Sequence, residues 1–126
     1  MDSERFEELV AAGIKQIPAR FLEKLKNVAI MTEDEPTTEQ LASVGIRPKS
    51  GRTLFGLYEG VPNLEGGHTH RAFPDRITIF RLPILEQSLR DEDISRIVAA
   101  TVRHEIAHHF GMNEDEVARA EHGHHY

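Results

Sequence analysis

One segment, residues 91–110, constrains the fold of this chain more than any other. It opens with acidic residues that suit the positive end of a helix dipole, and Gly111 follows it with the conformational freedom that a helix C-terminus needs. Its apolar residues recur at helical spacing. The sequence therefore predicts a long, mostly buried helix, whose broad apolar face contains Ile94, Ile97, Val98, Thr101 and Val102.

The last turns of this predicted helix carry the pattern His-Glu-x-x-His, at His104, Glu105 and His108. Because an α-helix has about 3.6 residues per turn, positions four apart project from the same face, and both imidazoles can reach one metal ion. Glu105 lies about 100° around the helix from His104, which places it beside that ion as a candidate general base. The spacing indicates two metal ligands and a base.

A third ligand is expected where the chain leaves the helix. Gly111 allows a left-handed turn that redirects the chain toward the open side of the metal. Glu114 follows at a suitable spacing, and Asp115 is the alternative third ligand. Glu114 also suits the first turn of a short following helix, and both interpretations can hold at once. The chain has no cysteine, so any metal must be held by nitrogen and oxygen.

The N-terminal part of the chain mixes helical and strand patterns. A first amphipathic helix is predicted from Ser3, the candidate N-cap, to a point before Pro18. A helix-to-strand passage follows, with the strand at residues 27–33. A short helix is then predicted to end at Gly45.

Two further strands are predicted in the middle of the chain. Residues 53–62 are rich in strand-forming side chains and bounded by Gly and Pro, which indicates a strand near a sheet edge. Residues 63–75 indicate a loop, residues 76–83 a second strand and residues 84–89 a short helical piece. Helices and strands in this order predict an α+β fold.

Length, charge and composition narrow the class of protein. A chain of 126 residues suits a single domain over residues 1–126, with a flexible histidine-rich tail at about 121–126. The first residues do not resemble a secretory signal, and no apolar run approaches the ~20 residues that span a bilayer, so we expect a cytoplasmic location and no membrane partner. The net charge of −6 argues against a nucleic-acid partner.

The motif segment resembles a known family. "TVRHEIAHHFGMNEDE" is similar to the motif of the small bacterial zincin-like metallopeptidases, the minimal zincins, whose pattern is HExxHxxGxx(D/E). "LFGLYEGVP" and "FPDRITIFRLPIL" are similar to strand segments of that family, so the resemblance covers about residues 54–116. It implies a minimal zincin-like fold, in which a small mixed sheet packs against a buried active-site helix.

The resemblance also implies roles for the motif residues. His104 and His108 would bind Zn²⁺, Glu105 would be the general base, and Glu114 would be the acidic third ligand. The family more often has Asp as this ligand, and Asp115 is adjacent. A peptide or protein substrate would add to the edge strand, and Glu105 would take the proton of the attacking water. These roles describe a zinc-dependent peptidase.

Two other functions compete with the peptidase. A non-catalytic metal-binding or protein-interaction domain would retain the site without turning over a substrate. Glu105 favours the enzyme, because a structural zinc site needs four closed ligands and no base. A metal-dependent nuclease would carry a histidine-rich motif without the Glu after the first His, and the acidic charge also argues against it.

Other polar residues have lesser expected roles. His109 points about 100° away from the second ligand, so we expect a buried histidine or one that supports the metal ligands from just outside their shell. We expect His68, His70 and the tail histidines at 122–125 to be solvated, although either group could supply metal contacts. Tyr58 is expected to pack, with oxyanion stabilisation as the alternative.

Overall fold

The computed structural model describes residues 1–60 and 75–111. Helices and strands are mixed along the chain, as the α+β prediction requires. The elements are α1 (Ser3–Lys15), α2 (Ala19–Leu22) with a 3₁₀ turn (Glu23–Leu25), β1 (Val28–Glu33), α3 (Thr38–Ser43), β2 (Gly56–Glu59), β3 (Asp75–Phe80), α4 (Arg81–Glu86) and α5 (Asp91–Phe110).

The three strands form one mixed sheet in the order β1-β3-β2. β1 runs parallel to β3, with Val28 opposite Asp75, and β2 runs antiparallel to it, with Tyr58 opposite Ile77. β3 is therefore the central strand, which explains why its side chains from Ile77 onward are buried. The prediction that β2 lies at a sheet edge is confirmed for the described residues, although the strand is shorter than predicted.

The core forms where α1 and the sheet pack against α5. Buried side chains are mainly aliphatic, joined by a few phenylalanines such as Phe6 and Phe21. α1 and α5 approach closely at Gly13, where an added Cβ would lie 2.5 Å from the carbonyl oxygen of Ser95. The hydroxyl of Ser95 donates a hydrogen bond of 2.9 Å to the carbonyl of Leu9 across the same contact. Burial of this apolar surface fixes α5 in place.

Both ends of α5 follow the sequence prediction. At its start, the carboxylate of Asp93 accepts hydrogen bonds from the backbone N–H groups of Leu89, at 2.9 Å, and Arg90, at 3.1 Å. At its end, Gly111 adopts a left-handed conformation with φ of 65°. The acidic first turn and the glycine therefore act as the caps that their residue types indicate.

The N-cap of α1 is Asp2, so the prediction of Ser3 is wrong by one residue. The Asp2 side chain accepts a hydrogen bond of 2.8 Å from the backbone N–H of Arg5, and Ser3 is the first helical residue. Both residue types cap helices well, and the carboxylate of Asp2 adds a favourable interaction with the helix dipole.

Helix α4 begins within the segment predicted as a strand. The backbone N–H of Leu82 donates a hydrogen bond of 2.9 Å to the carbonyl of Asp34, and the Arg81 guanidinium lies 2.9 Å from the Asp34 carboxylate. These contacts turn the chain directly after β3. Pro83 then lies in the first turn of α4, where a missing N–H removes no helical hydrogen bond.

None of the helices in residues 1–60 and 75–111 is long and apolar enough to cross a membrane.

Candidate metal and catalytic site

The C-terminal part of α5 brings two imidazoles together. The ring centroids of His104 and His108 are 4.3 Å apart, with an angle of 62° between the rings. Between them in sequence, Ile106 and Ala107 are buried, which fixes the opposite side of the helix against the core. His104 is half-buried and His108 is exposed. The two histidines therefore lie on a helix that the core holds in place, and the ring of His108 is open to solvent.

Glu105 contacts the edge strand of the sheet. Its Oε1 atom accepts a hydrogen bond of 2.7 Å from the backbone N–H of Tyr58 in β2. The carboxylate is half-buried and lies next to His104 in the chain. The site therefore joins the helix that carries the motif to a strand far away in sequence, and the sequence analysis did not identify Tyr58 as the partner of Glu105.

The pairing of β2 with β3 explains why this N–H is accessible to Glu105. In an antiparallel pair, hydrogen-bonded and non-hydrogen-bonded positions alternate along the strand. The N–H of Phe80 donates to the carbonyl of Phe55, and the register continues from that pair to Tyr58 opposite Ile77. Tyr58 is therefore a non-hydrogen-bonded position, and its N–H points away from β3 toward the outer edge.

The Tyr58 side chain also contacts Asp75 and His109. Its hydroxyl donates a hydrogen bond of 2.7 Å to the carboxylate of Asp75. Its ring stacks on His109, with centroids 3.7 Å apart and an angle of 18°. The expectation that Tyr58 packs is met by this stack. Of the two roles expected for His109, the buried one is wrong, because the side chain is exposed and covers the tyrosine ring. A role beside the metal ligands stays a prediction.

An exposed aromatic group continues to the end of α5. The Phe110 ring stands edge-on to both Tyr58 and His109, at centroid distances of 5.9 Å and 4.9 Å. The ammonium of Lys24 lies 5.9 Å from the Phe110 ring. Rings in this arrangement attract each other through their quadrupoles, so the end of the helix is held to β2 by side chains as well as by Glu105.

The described residues include two of the candidate metal ligands, His104 and His108. In residues 1–60 and 75–111, no group of three or more His, Cys, Asp or Glu side chains is placed to hold a metal ion. The candidate third ligands Glu114 and Asp115 lie outside the described residues, as do the loop and tail histidines, at 68, 70 and 122–125. Two imidazoles on one helix face match the nitrogen donors that zinc accepts, so the donor chemistry fits zinc as far as it is described.

Comparison with known proteins decides the family. The chain matches the family model of the zincin-like metallopeptidases over residues 25–124. It belongs to the zincin-like metallopeptidase family. The matched range includes the whole sheet and α5, so the resemblance seen in the motif segment is confirmed, together with the zincin-like fold.

A solved structure supports the same fold. The chain is similar to a conserved hypothetical protein from Thermus thermophilus, with 26% identity and a TM-score of 0.56, over 94% of this chain and 99% of that chain. No curated protein sequence matches the chain. The family match and this likeness therefore establish the zincin-like fold.

Proposed function

We propose that this zincin-like protein is a zinc-dependent peptidase in which Glu105 is the general base. The observation that carries the proposal is the contact of Glu105 with the edge strand β2, on the same end of α5 as the paired rings of His104 and His108. Its carboxylate lies on the backbone N–H of Tyr58 at 2.7 Å, where an extended peptide would meet the sheet. A base, two candidate ligands and an edge strand thus occupy one end of α5.

His104 and His108 would hold the metal, with Glu114 as the third ligand and Asp115 as its alternative. Zinc bound by three protein ligands supplies a Lewis acid that polarises a carbonyl and lowers the pKa of water. Two imidazoles from consecutive turns of a buried helix are well suited to this role, since the helix holds both rings in fixed directions.

Glu105 would transfer the proton from the attacking water to the leaving amine during hydrolysis. A carboxylate held within hydrogen-bond reach of the attacking water can take its proton and pass it to the leaving amine. The N–H of Tyr58 holds one oxygen of Glu105 in place. No covalent intermediate is required, since water itself attacks the carbonyl.

A peptide or protein substrate would extend the sheet at the outer edge of β2. In the described part of the chain, β2 pairs with β3 alone. On its other edge the N–H of Tyr58 is bound by Glu105, so a substrate strand would pair with the neighbouring backbone groups of that edge. Strand addition of this kind uses backbone hydrogen bonds for affinity and side-chain pockets for selectivity. The net charge of −6 supports a peptide over a nucleic acid as the substrate. A cytoplasmic location stays a prediction from the sequence.

The proposal is tested with the variant Glu105→Gln. Zinc-loaded wild-type protein and the variant are incubated with a diverse peptide pool, and products are read by mass spectrometry. We expect the wild type to cleave peptides and the variant to lose at least about a hundredfold in rate, since a general base typically contributes that much or more. The amide oxygen of Gln can still accept the hydrogen bond from Tyr58, so β2 stays in place.

A matched control is Glu59→Gln, on the same strand. Glu59 accepts a hydrogen bond of 3.1 Å from Gln40 and lies 3.5 Å from Arg76, and neither of these partners belongs to the motif. The Glu59→Gln variant is expected to cleave peptides like the wild type. Identical products from wild type and Glu105→Gln, or none from the wild type with zinc, cobalt or manganese, would refute the peptidase and favour the non-catalytic metal-binding domain.

A further inference from the structure

We infer that Tyr58 is a positioning residue for Glu105, and that His109 acts on Glu105 through the Tyr58 ring. This inference rests on the proposed function, because Glu105 is the base there. Three contacts of Tyr58 support the inference: its N–H donates to Glu105, its hydroxyl donates to Asp75 and its ring face stacks on His109. One residue of a short edge strand thus links the base to two other side chains.

The first link is a short hydrogen bond from a fixed donor. At 2.7 Å, the bond from the Tyr58 N–H to Glu105 lies in the range of bonds to ionised acceptors, which are about twice as strong as neutral ones. A backbone N–H cannot rotate away as a hydroxyl or a water can. The orientation of the Glu105 carboxylate therefore depends on where β2 lies relative to α5.

The second link lies along α5. Glu105 and His109 are four residues apart, so they share one face of the helix. Glu105 contacts the backbone of Tyr58 and His109 contacts its ring, with centroids 3.7 Å apart. The helix thus holds Tyr58 at two consecutive turns, and the His109 stack limits sliding of β2 along the helix axis.

The third link lies within the sheet. Tyr58 is opposite Ile77, so Asp75 is its diagonal neighbour on the same face of the sheet. The hydroxyl of Tyr58 reaches the Asp75 carboxylate at 2.7 Å, which holds the ring in one rotamer. The Tyr58 ring is therefore held both by His109 and by Asp75. Loss of either contact should loosen the position of the Tyr58 N–H that holds Glu105.

The main experiment compares His109→Ala with His109→Phe, which keeps a flat ring for the stack. We expect His109→Ala to lower kcat by about tenfold with little change in KM, as is usual when a residue that orients an active-site group is removed. His109→Phe should restore kcat. Zinc affinity, measured by isothermal titration calorimetry, should be unchanged in both. A parallel fall in zinc affinity in His109→Ala would mean that the change acts through His108, and would overturn the inference.

A second variant, Tyr58→Phe, removes only the hydroxyl that reaches Asp75. Tyr58→Phe should lower kcat with little change in KM, by less than His109→Ala does. Its matched control is Thr32→Val, which removes a hydroxyl from the opposite edge strand, where it lies 3.4 Å from Glu7. That control should leave kcat and KM unchanged. A kcat that stays the same or rises in both His109→Ala and Tyr58→Phe would overturn the inference.

An activity-free measurement separates this inference from the proposed function. The amide resonance of Tyr58 is followed by ¹H–¹⁵N NMR in the metal-free protein, with Glu105→Ala as the reference for an N–H that has lost its acceptor. We expect the resonance in His109→Ala to move toward that reference, and His109→Phe to return it. If the wild type cleaves no peptide, the proposed function fails, and this resonance alone decides the inference. No shift in Glu105→Ala, or none in His109→Ala, would overturn it.

Discussion

Residues 91–102 and 103–110 are parts of one continuous helix, yet they differ in burial. We call residues 91–102 the buried part of α5 and residues 103–110 its exposed part. In the first part, most side chains from Ile94 to Val102 are buried against α1 and the sheet. In the last part, only Ile106 and Ala107 are buried, while His108 and the two residues after it are exposed. Polar groups that would meet a metal and a substrate under the proposed function thus lie at the end of a helix whose position is fixed by burial of its other end.

The difference shows how a small protein can build a precise site. A helix transmits rigidity along its axis through its own hydrogen bonds, so burial of one end orients side chains at the other. Stability and chemistry then depend on different residues. Substitutions of buried residues in 91–102 should alter unfolding and leave metal binding intact in the folded protein, whereas substitutions of the side chains in residues 103–110 that are not buried should do the reverse.

The largest effect is expected from His104→Ala, in the exposed part. Zinc sites in small domains have binding free energies of about 10–16 kcal/mol, shared among their ligands, so loss of one ligand should weaken binding by about a thousandfold. Isothermal titration calorimetry with zinc measures this. The free energy of unfolding with a chelator present should change little. His109→Phe is the control and should bind zinc normally; full zinc affinity in His104→Ala would contradict the ligand assignment.

A smaller effect is expected from Ile97→Ala, in the buried part. Ile97 is 4% exposed, and truncation of such a side chain leaves a cavity that costs about 3 kcal/mol of unfolding free energy. Urea denaturation in the presence of a chelator measures the loss. Zinc affinity of the folded variant should match the wild type. A tenfold loss of zinc affinity here would show that the two parts of α5 are not separable.

Gly13→Ala tests the contact that holds the buried part in place. Alanine normally stabilises a helix interior relative to glycine by about 1 kcal/mol. Here the new Cβ would lie 2.5 Å from the carbonyl oxygen of Ser95 and 3.2 Å from Val98, so α1 must shift away from α5. We expect a net loss of about 2 kcal/mol, as for other overpacked cores. The exposed Ala12→Gly is the control, with the loss expected from helix propensity alone; a stabilised Gly13→Ala would contradict the close approach.

The smallest effect concerns the start of the buried part and depends on pH. The backbone N–H of Leu89, the Arg96 guanidinium and the backbone N–H of Arg90 hold the pKa of Asp93 below its ordinary value of 3.8. Because the folded state favours the ionised form, the stability that Asp93 adds is present above that value and is lost as the pH falls through the lowered pKa. Melting temperatures of wild type and Asp93→Asn should therefore differ at neutral pH and converge in acid. A gap that stays constant down to the lowest pH would contradict this.

Local sequence patterns were sufficient to predict many of the helices and strands. The bounds of α5 follow from its apolar period, its acidic first turn and Gly111, all of which lie within or next to the segment itself. The strands β1 and β3 and the short helix α3 were also recognisable from residue type and turn signals. The shared face of His104 and His108 needs only the helical period. Each of these features depends on interactions between near neighbours in sequence.

Only the tertiary structure decided what surrounds the motif. Tyr58 lies 47 positions before Glu105 in sequence, and its N–H faces outward because of the register of β2 on β3. The stack of His109 on Tyr58 and the bond to Asp75 depend on the same packing. No periodic pattern encodes which N–H a carboxylate will meet, since that is set by how buried surfaces fit together. The sequence by itself determined a helix with two histidines and an acid on adjacent faces; the packing of β2 against it determined how that acid is held.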